Sequence, residues 1–265
     1  MTCAPTRFVL ADSATMVRRN LKRMIRYPSM TFQLLIMPVV FLLLFVYVFG
    51  GTLGAGLGGP SGGRAEYLNY VTPTIILMAI TAAVQGTSIS IAMDMTEGIV
   101  DRFRTMAIAR VSVLTGHVVG SLVQTILAMS FVFGVAVAIG FRPQANLVEW
   151  LALAGLLVSM AFALIWFSAA LGLASKSVES SSNIGLPLIL LPFFGNGFVP
   201  TDSMPTALRW FAEYQPFTPF IDALRGLLMG TPIGNSGYIA FAWCVVIGVG
   251  GYLWSKKLFN RESTR

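Results

Sequence analysis

Charge is what this chain has least of. Only 11% of its 265 residues are Asp, Glu, Lys or Arg, against about 25% in an average soluble domain. A water-soluble fold of this length cannot cover its surface with so few, and 55% hydrophobic residues with a mean hydropathy of +0.75 make the bilayer the expected solvent. The same numbers exclude intrinsic disorder. Cysteine is equally sparse: Cys3 and Cys244 read as two small hydrophobes rather than a disulfide. With His117 as the sole histidine, no Cys/His set has metal-ligand spacing and no HExxH motif exists. None of the four lysines, Lys22, Lys176, Lys256 and Lys257, follows a glycine, so no Walker A loop brings a lysine to nucleotide phosphates. A GxGxxG match at Gly54, Gly56 and Gly59 has no strand before it and reads as a flexible outer loop. Asp94, Glu97 and Asp101 are spaced for helix capping rather than for paired acid–base work.

What is present is apolar length. A spanning helix needs about 20 mostly apolar residues at ~1.5 Å rise each. Six stretches fit: 31–49, 71–93, 118–139, 151–173, 184–199 and 238–254. The first four contain no Asp, Glu, Lys or Arg, while the fifth is short and carries Pro187 and Pro192. With the N-terminus cytoplasmic, 14 of the 18 basic residues fall on the inner side, leaving Arg64, Arg142, Arg209 and Arg225 outside. That split obeys the positive-inside rule and sets both termini in the cytoplasm. The expected fold class is therefore an all-α polytopic membrane protein with six transmembrane helices. It forms one domain over 1–265, with a cytoplasmic amphipathic helix (1–30), a six-span region (31–254) and a cytoplasmic tail (255–265). The basic region at the N-terminus is too long for a cleaved signal peptide, and no tandem repeat is evident.

Three segments lie outside the spans. In residues 13–27, Val17, Leu21, Met24 and Ile25 share one helical face, and Arg18, Arg19, Lys22, Arg23 and Arg26 fill the rest. This is a basic amphipathic helix in the inner headgroup layer, acting as an anchor alone or as an anchor with a protein contact. Residues 94–117 form an inner loop in which Thr96 can cap a helix with Glu97 and Asp101 early and Arg102, Arg104 and Arg110 late. Ile99, Val100, Phe103, Met106 and Ala107 form its apolar face. A docking surface for a cytoplasmic partner and a plain connector are both compatible with it. The outer segment 200–237 holds a helix with Ser203 as N-cap and Pro205 in its first turn, then an apolar run with Asp222 and Arg225 that dips into the outer leaflet.

Proton- or ion-coupled carriers place Asp, Glu or His inside the bilayer. These span cores hold none, and their larger polar residues are Gln33, Gln85 and Gln124. Each glutamine either faces a substrate path or joins neighbouring helices. Energy for any transport is then expected from another polypeptide at the cytoplasmic face.

The run 97–116, EGIVDRFRTMAIARVSVLTG, resembles the E-G-x-x-[DE]-R-[FL]-[RK]-[ST]-[ML]-P-[IV]-x-R pattern of type-2 ABC exporter permeases, with Ala107 in place of the usual proline. Residues 215–230, QPFTPFIDALRGLLMG, are similar to that family's N-P-[FL]-T-x-x-[VI]-[DE]-x-[LA]-R, with Gln215 for asparagine. The resemblance covers nearly the whole chain and is strongest to the daunorubicin/doxorubicin-resistance-like drug-efflux permeases of actinobacteria. It implies a multi-pass plasma-membrane permease, not itself an enzyme, working as a dimer with a second permease copy above a separate ABC ATPase subunit. ATP and Mg would be bound in that partner, with no cofactor or metal in this chain and no nucleic-acid partner. Glu97, Asp101, Arg102, Phe103, Arg104 and Met106 would couple to the ATPase, with Arg18, Arg19, Lys22, Arg23 and Arg26 in the interface helix. Gln85, Gln124, Phe193 and Phe194 are candidates for the path of an amphipathic drug or lipid. The alternatives are a lipid, glycolipid or cell-wall precursor export permease of the same class, or a self-sufficient secondary transporter.

Overall fold

The computed structural model describes residues 15, 17–18, 28–57, 63–96 and 110–261, and among them all regular structure is helical. Helix α1 (Pro28–Leu44) continues through a π-helical turn, Phe45–Phe49, into α2 (Gly50–Ala55). Then come α3 (Arg64–Thr96), α4 (Arg110–Ala138), α5 (Leu147–Ala174) and α6 (Val178–Leu190), the last tightening into a 3-10 turn at Leu191–Phe194. Two shorter helices, α7 (Thr206–Tyr214) and α8 (Phe217–Met229), precede α9 (Ser236–Arg261).

Among the described residues five helical stretches are long and apolar enough to cross a membrane: Leu35–Ala55, Arg64–Thr96, Gly116–Ala138, Leu147–Ala174 and Ser236–Leu258. The segment expected at 184–199 is instead the shorter helix Val178–Phe194, and residues 195–199 leave the helix. Pro187 and Pro192 withhold two backbone donors there, which favours the switch to 3-10 geometry and the exit from it.

Helix α3 is the axis of the molecule. Every residue from Val71 to Thr81 is buried, on all faces, which is the pattern of a helix surrounded by other helices. α4, α5 and α6 pack against it, and α9 packs chiefly on α5. At 33 residues α3 is about 50 Å long, so it overshoots a ~30 Å hydrocarbon core at its ends. This length corrects the inner loop. Asp94 belongs to α3 and His117 to α4, both helices having continued beyond their apolar cores. Thr96 is the last residue of α3, its hydroxyl donating back to the Ala92 and Met93 carbonyls, each at 3.0 Å, and the helix expected from Glu97 onward lies outside the described residues.

Helix starts follow local chemistry. At α5, Asn146 and Glu149 make a reciprocal capping box: Glu149 N–H donates to Asn146 Oδ1 at 2.9 Å and Asn146 N–H to Glu149 Oε2 at 2.7 Å. Ser203 is not the N-cap of α7; it closes a short 3-10 turn, Thr201–Ser203, and α7 begins after Pro205. α8 is continuous despite Pro219, because that proline sits in the first turn, where no intrahelical donor is needed. Gly230, at φ +65°, ends α8 in the left-handed region that favours glycine.

Small residues set the closest helix approach. A Cβ on Gly251 of α9 would stand 2.5 Å from the Phe167 backbone nitrogen of α5, so the two backbones meet there as in small-residue membrane interfaces. Gly251→Val is expected to destabilise the detergent-solubilised protein by about 1–3 kcal/mol, read as a lowered thermal midpoint. Gly250→Ala is the control, since a Cβ there meets nothing within 4 Å; equal effects of the two would refute this packing.

Candidate functional site

The stretch 195–199 is irregular, mostly buried backbone packed against the first turns of α3, and its carbonyls need donors where water is scarce. α3 supplies them from a stripe at i, i+3 and i+7. Tyr67 Oη donates to Phe198 O at 3.2 Å, Tyr70 Oη to Asn196 O at 2.6 Å and Thr74 Oγ1 to Gly197 O at 3.0 Å. Gly197 must be glycine, because a Cβ would drive into the Thr74 side chain. An aromatic cluster seats the same turn against α1: Phe198 lies 4.4 Å from the Phe45 ring and stacks on Phe193 at 4.8 Å, and Phe193 meets Phe41 edge-on at 5.8 Å.

α8 locks this platform from the other side. Arg225 holds its guanidinium 3.9 Å over the Tyr70 ring, and its Nη1 donates to Asp222 Oδ1 at 3.3 Å. Its Nη2 donates to the Asn196 carbonyl at 3.1 Å and the Tyr70 carbonyl at 3.4 Å. Asn196 Nδ2 donates to the same Asp222 oxygen at 2.5 Å. One arginine thus ties α3, the 195–199 turn and α8 together. On exposed α7, Glu213 accepts a hydrogen bond from Arg209 at 2.7 Å and Asp202 pairs with it, holding that guanidinium above its usual range.

Nearer the other end of α3, polar contacts stitch α3 to α5 and α6. Gln85 Nε2 donates to Ser182 O at 2.9 Å, the Ser88 and Ser181 hydroxyls lie 2.7 Å apart, and Ser168 Oγ donates to Val84 O at 2.5 Å. Beyond them His117 Nε2 donates to Asp94 Oδ2 at 3.0 Å, with both side chains buried. An apolar cavity of about 170 Å³ opens beside Ser130 and Trp150, walled by Phe133 and Leu157 and floored by Leu224 and Leu228. It is comparable in size to an apolar cavity that takes a benzene ring.

The predicted site residues scatter. Glu97, Asp101, Arg102, Phe103, Arg104 and Met106 lie outside the described residues, as do Arg19, Lys22, Arg23 and Arg26; Arg18 is helical and exposed. Gln85 is a helix joiner, Gln124 is half-buried on α4, Phe193 belongs to the aromatic cluster, and Phe194 is 45% exposed, edge-on to Phe211. Among the described residues, no hydrogen bond or ring contact joins any two of the four. Sequence reasoning missed the Tyr67–Tyr70–Thr74 stripe, whose i, i+3, i+7 spacing was the available signal, and the Asp94–His117 pair.

The chain matches the family described as ABC-2 type transporter over residues 13–229. It is 27% identical over 225 residues, 83% of this chain and 77% of the relative, to a daunorubicin resistance ABC transporter permease protein of Streptomyces coeruleorubidus. It is 24% identical over 247 residues, 92% of this chain and 87% of the relative, to a probable doxorubicin resistance ABC transporter permease protein of Mycobacterium tuberculosis. Nodulation protein J of Rhizobium leguminosarum bv. trifolii is 24% identical over 230 residues, 83% of this chain and 84% of that protein.

The Arg225 contacts carry a prediction. Arg225→Ala is expected to lower stability by about 1–3 kcal/mol, read by thermal unfolding in detergent. Arg225→Lys should recover less than half of that loss, since a single ammonium cannot serve the Asp222 carboxylate and two carbonyls in the fork geometry of a guanidinium. Full recovery by lysine would show that only the charge matters.

Proposed function

Because this chain belongs to the ABC-2 type transporter family, we propose that it is the membrane-spanning permease of an exporter whose ATPase is a separate polypeptide. It is a multi-pass membrane protein. The carrying observation is the distribution of ionisable groups along its axis. Between Tyr70 and Asp94, 24 residues apart and about 36 Å along α3, no Asp, Glu, His, Lys or Arg occurs. An apolar shaft of this kind offers no site for an ion to bind and leave at mid-membrane, so the driving force is assigned to a partner's nucleotide cycle.

Six crossings and cytoplasmic termini are part of this reading. α6 touches α3 at Ser88 through Ser181, and the turn after it reaches Tyr70 through Asn196. Those contacts are 18 residues apart on α3, about 27 Å along its axis. That span supports α6 with its following turn as a short crossing antiparallel to α3. Two copies pair above two ATPase subunits, which bind ATP and Mg. Glu97, Asp101, Arg102, Phe103, Arg104 and Met106 meet the ATPase, and the segment bearing Arg18, Arg19, Lys22, Arg23 and Arg26 rests on the inner leaflet beside it. Nucleotide binding closes the ATPase pair, the cytoplasmic segments carry that motion to α3 and α4, and the 195–229 region opens the outer side. The cargo class is amphipathic drugs; daunorubicin is the natural probe, given the relatives' names, and the apolar cavity beside Trp150 suits the ring of such a molecule.

The test is reconstitution. Vesicles holding the chain with its ATPase should move daunorubicin only when ATP is supplied, as read by the fluorescence of the drug. Movement by the chain alone, without ATPase or nucleotide, would sink the reading in favour of a self-sufficient carrier. Movement of a fluorescent phospholipid but not of daunorubicin would place the chain among lipid exporters. Phe103→Asp should leave the protein in the membrane and abolish ATP-driven movement by removing an apolar contact; normal export by that variant would displace the ATPase contact from this segment.

A further inference from the structure

We propose that Asp94 and His117 are positioning residues for energy coupling, a buried clasp that makes the inner ends of α3 and α4 move as one body. The proposal rests on the permease reading above. Residues 97–109, which contain the proposed ATPase contacts, join the end of α3 at Thr96 to the start of α4 at Arg110. The clasp hydrogen-bonds those two helices to each other, with Asp94 two residues before the end of α3 and His117 seven residues into α4.

Burial gives the pair its meaning. Asp94 is 2% exposed and His117 4%, and a carboxylate withdrawn from water that far is retained only with good partners. Apolar side chains at these positions would hold the helices together but let them rotate and slide. A hydrogen-bonded carboxylate and imidazole have a preferred geometry, and fixing register is the best-attested use of a buried polar pair. The surroundings extend the clasp: Ile91 and Met95, flanking Asp94 on α3, pack with Ala169 and Leu173 of α5 and with Leu258 of α9. A force applied to the 97–109 segment therefore enters α3 and α4 at a point already braced against α5 and α9, and α3 carries it to the turn at 195–199. Without the clasp, the segment moves one helix end against the other and the displacement is dissipated before it reaches the outer side.

The experiment follows motion rather than cargo. The full chain is assembled with its ATPase in proteoliposomes, in a Cys3→Ser/Cys244→Ser background with Val199→Cys as reporter, and labelled from outside by a membrane-impermeant maleimide with and without ATP. In this parent complex ATP should change the labelling rate. Asp94→Leu and His117→Phe, which keep bulk but cannot hydrogen-bond, should still assemble and hydrolyse ATP, while the ATP-induced change in rate falls about tenfold. The exchanged pair, Asp94→His with His117→Asp, should recover the response to within about threefold of the parent. A purely structural pair predicts otherwise: the single variants either respond like the parent or lose thermal stability in proportion to the response, and either result overturns the clasp. An exchanged pair as unresponsive as the single variants overturns it too. A parent complex in which ATP alters neither hydrolysis nor labelling overturns the permease reading itself, and the clasp with it.

Discussion

Everything in this molecule is arranged around a helix that has no free face. α3 is buried on all sides from Val71 to Thr81, so its backbone is satisfied internally and its side chains are chosen for packing. Polar groups on such a helix that do not bond a neighbouring element, as Thr74, Gln85 and Ser88 do, have two places, back on its own carbonyls or at its ends. Thr72 and Thr81 take the first, donating to the Leu68 and Met78 carbonyls at 2.6 and 3.0 Å. Tyr70 and Asp94 take the second, and each recruits a network at its own end.

The two networks differ in kind, which follows from what each must hold. The one at Tyr70 satisfies irregular backbone. Without Tyr67, Tyr70, Thr74 and Arg225, the carbonyls of residues 196–198 would be short of donors, each at a cost of a few kcal/mol in an apolar surround. The one at Asp94 satisfies a single carboxylate and fixes two helices relative to each other. Between them lies a seam of weaker polar contacts, Gln85 to Ser182 and Ser88 to Ser181, that ties α6 alongside without putting a titratable group at mid-membrane.

The all-helical class and the positions of the long spans were legible because hydropathy reports burial in lipid directly. Helix ends were not. The apolar windows stopped at Met93 and began again at Val118, yet α3 and α4 extend past those limits and bring Asp94 and His117 together. A charged residue at a span boundary looks like loop when its partner lies 23 residues away. The short fifth segment misled for a related reason: 184–199 reads as one apolar run, but its prolines and Gly197 suit a helix that breaks and a turn that nests on Thr74. The Asp222 and Arg225 of the 215–230 motif were visible as letters, and their joint grip on Asn196 and Tyr70 required the fold. Gln85 shows the reverse case, since helix joining was one of its two sequence readings and its bond to Ser182 selects it.

The separation of the two networks bears on how a permease of this size transmits work. A close-packed interior does not deform continuously; its elements shift between discrete arrangements. A 33-residue helix with a polar fixture at each end and mostly apolar packing between is suited to such shifts, because only a few side-chain hydrogen bonds, such as Ser88–Ser181 and Gln85–Ser182, must break when it slides or tilts. The fixtures have few alternatives: Tyr70 donates to the Asn196 carbonyl while its own carbonyl accepts from Arg225, and moving α3 lengthens both bonds together. A displacement at the Asp94 end must then either be absorbed by the apolar shaft or release the turn at 195–199 as a unit. The shaft is the stiffer of the two, since bending a fully surrounded helix disturbs every neighbour, whereas the turn at 195–199 is held by a countable set of side chains. That asymmetry makes the platform at 195–199 the easier of the two to release.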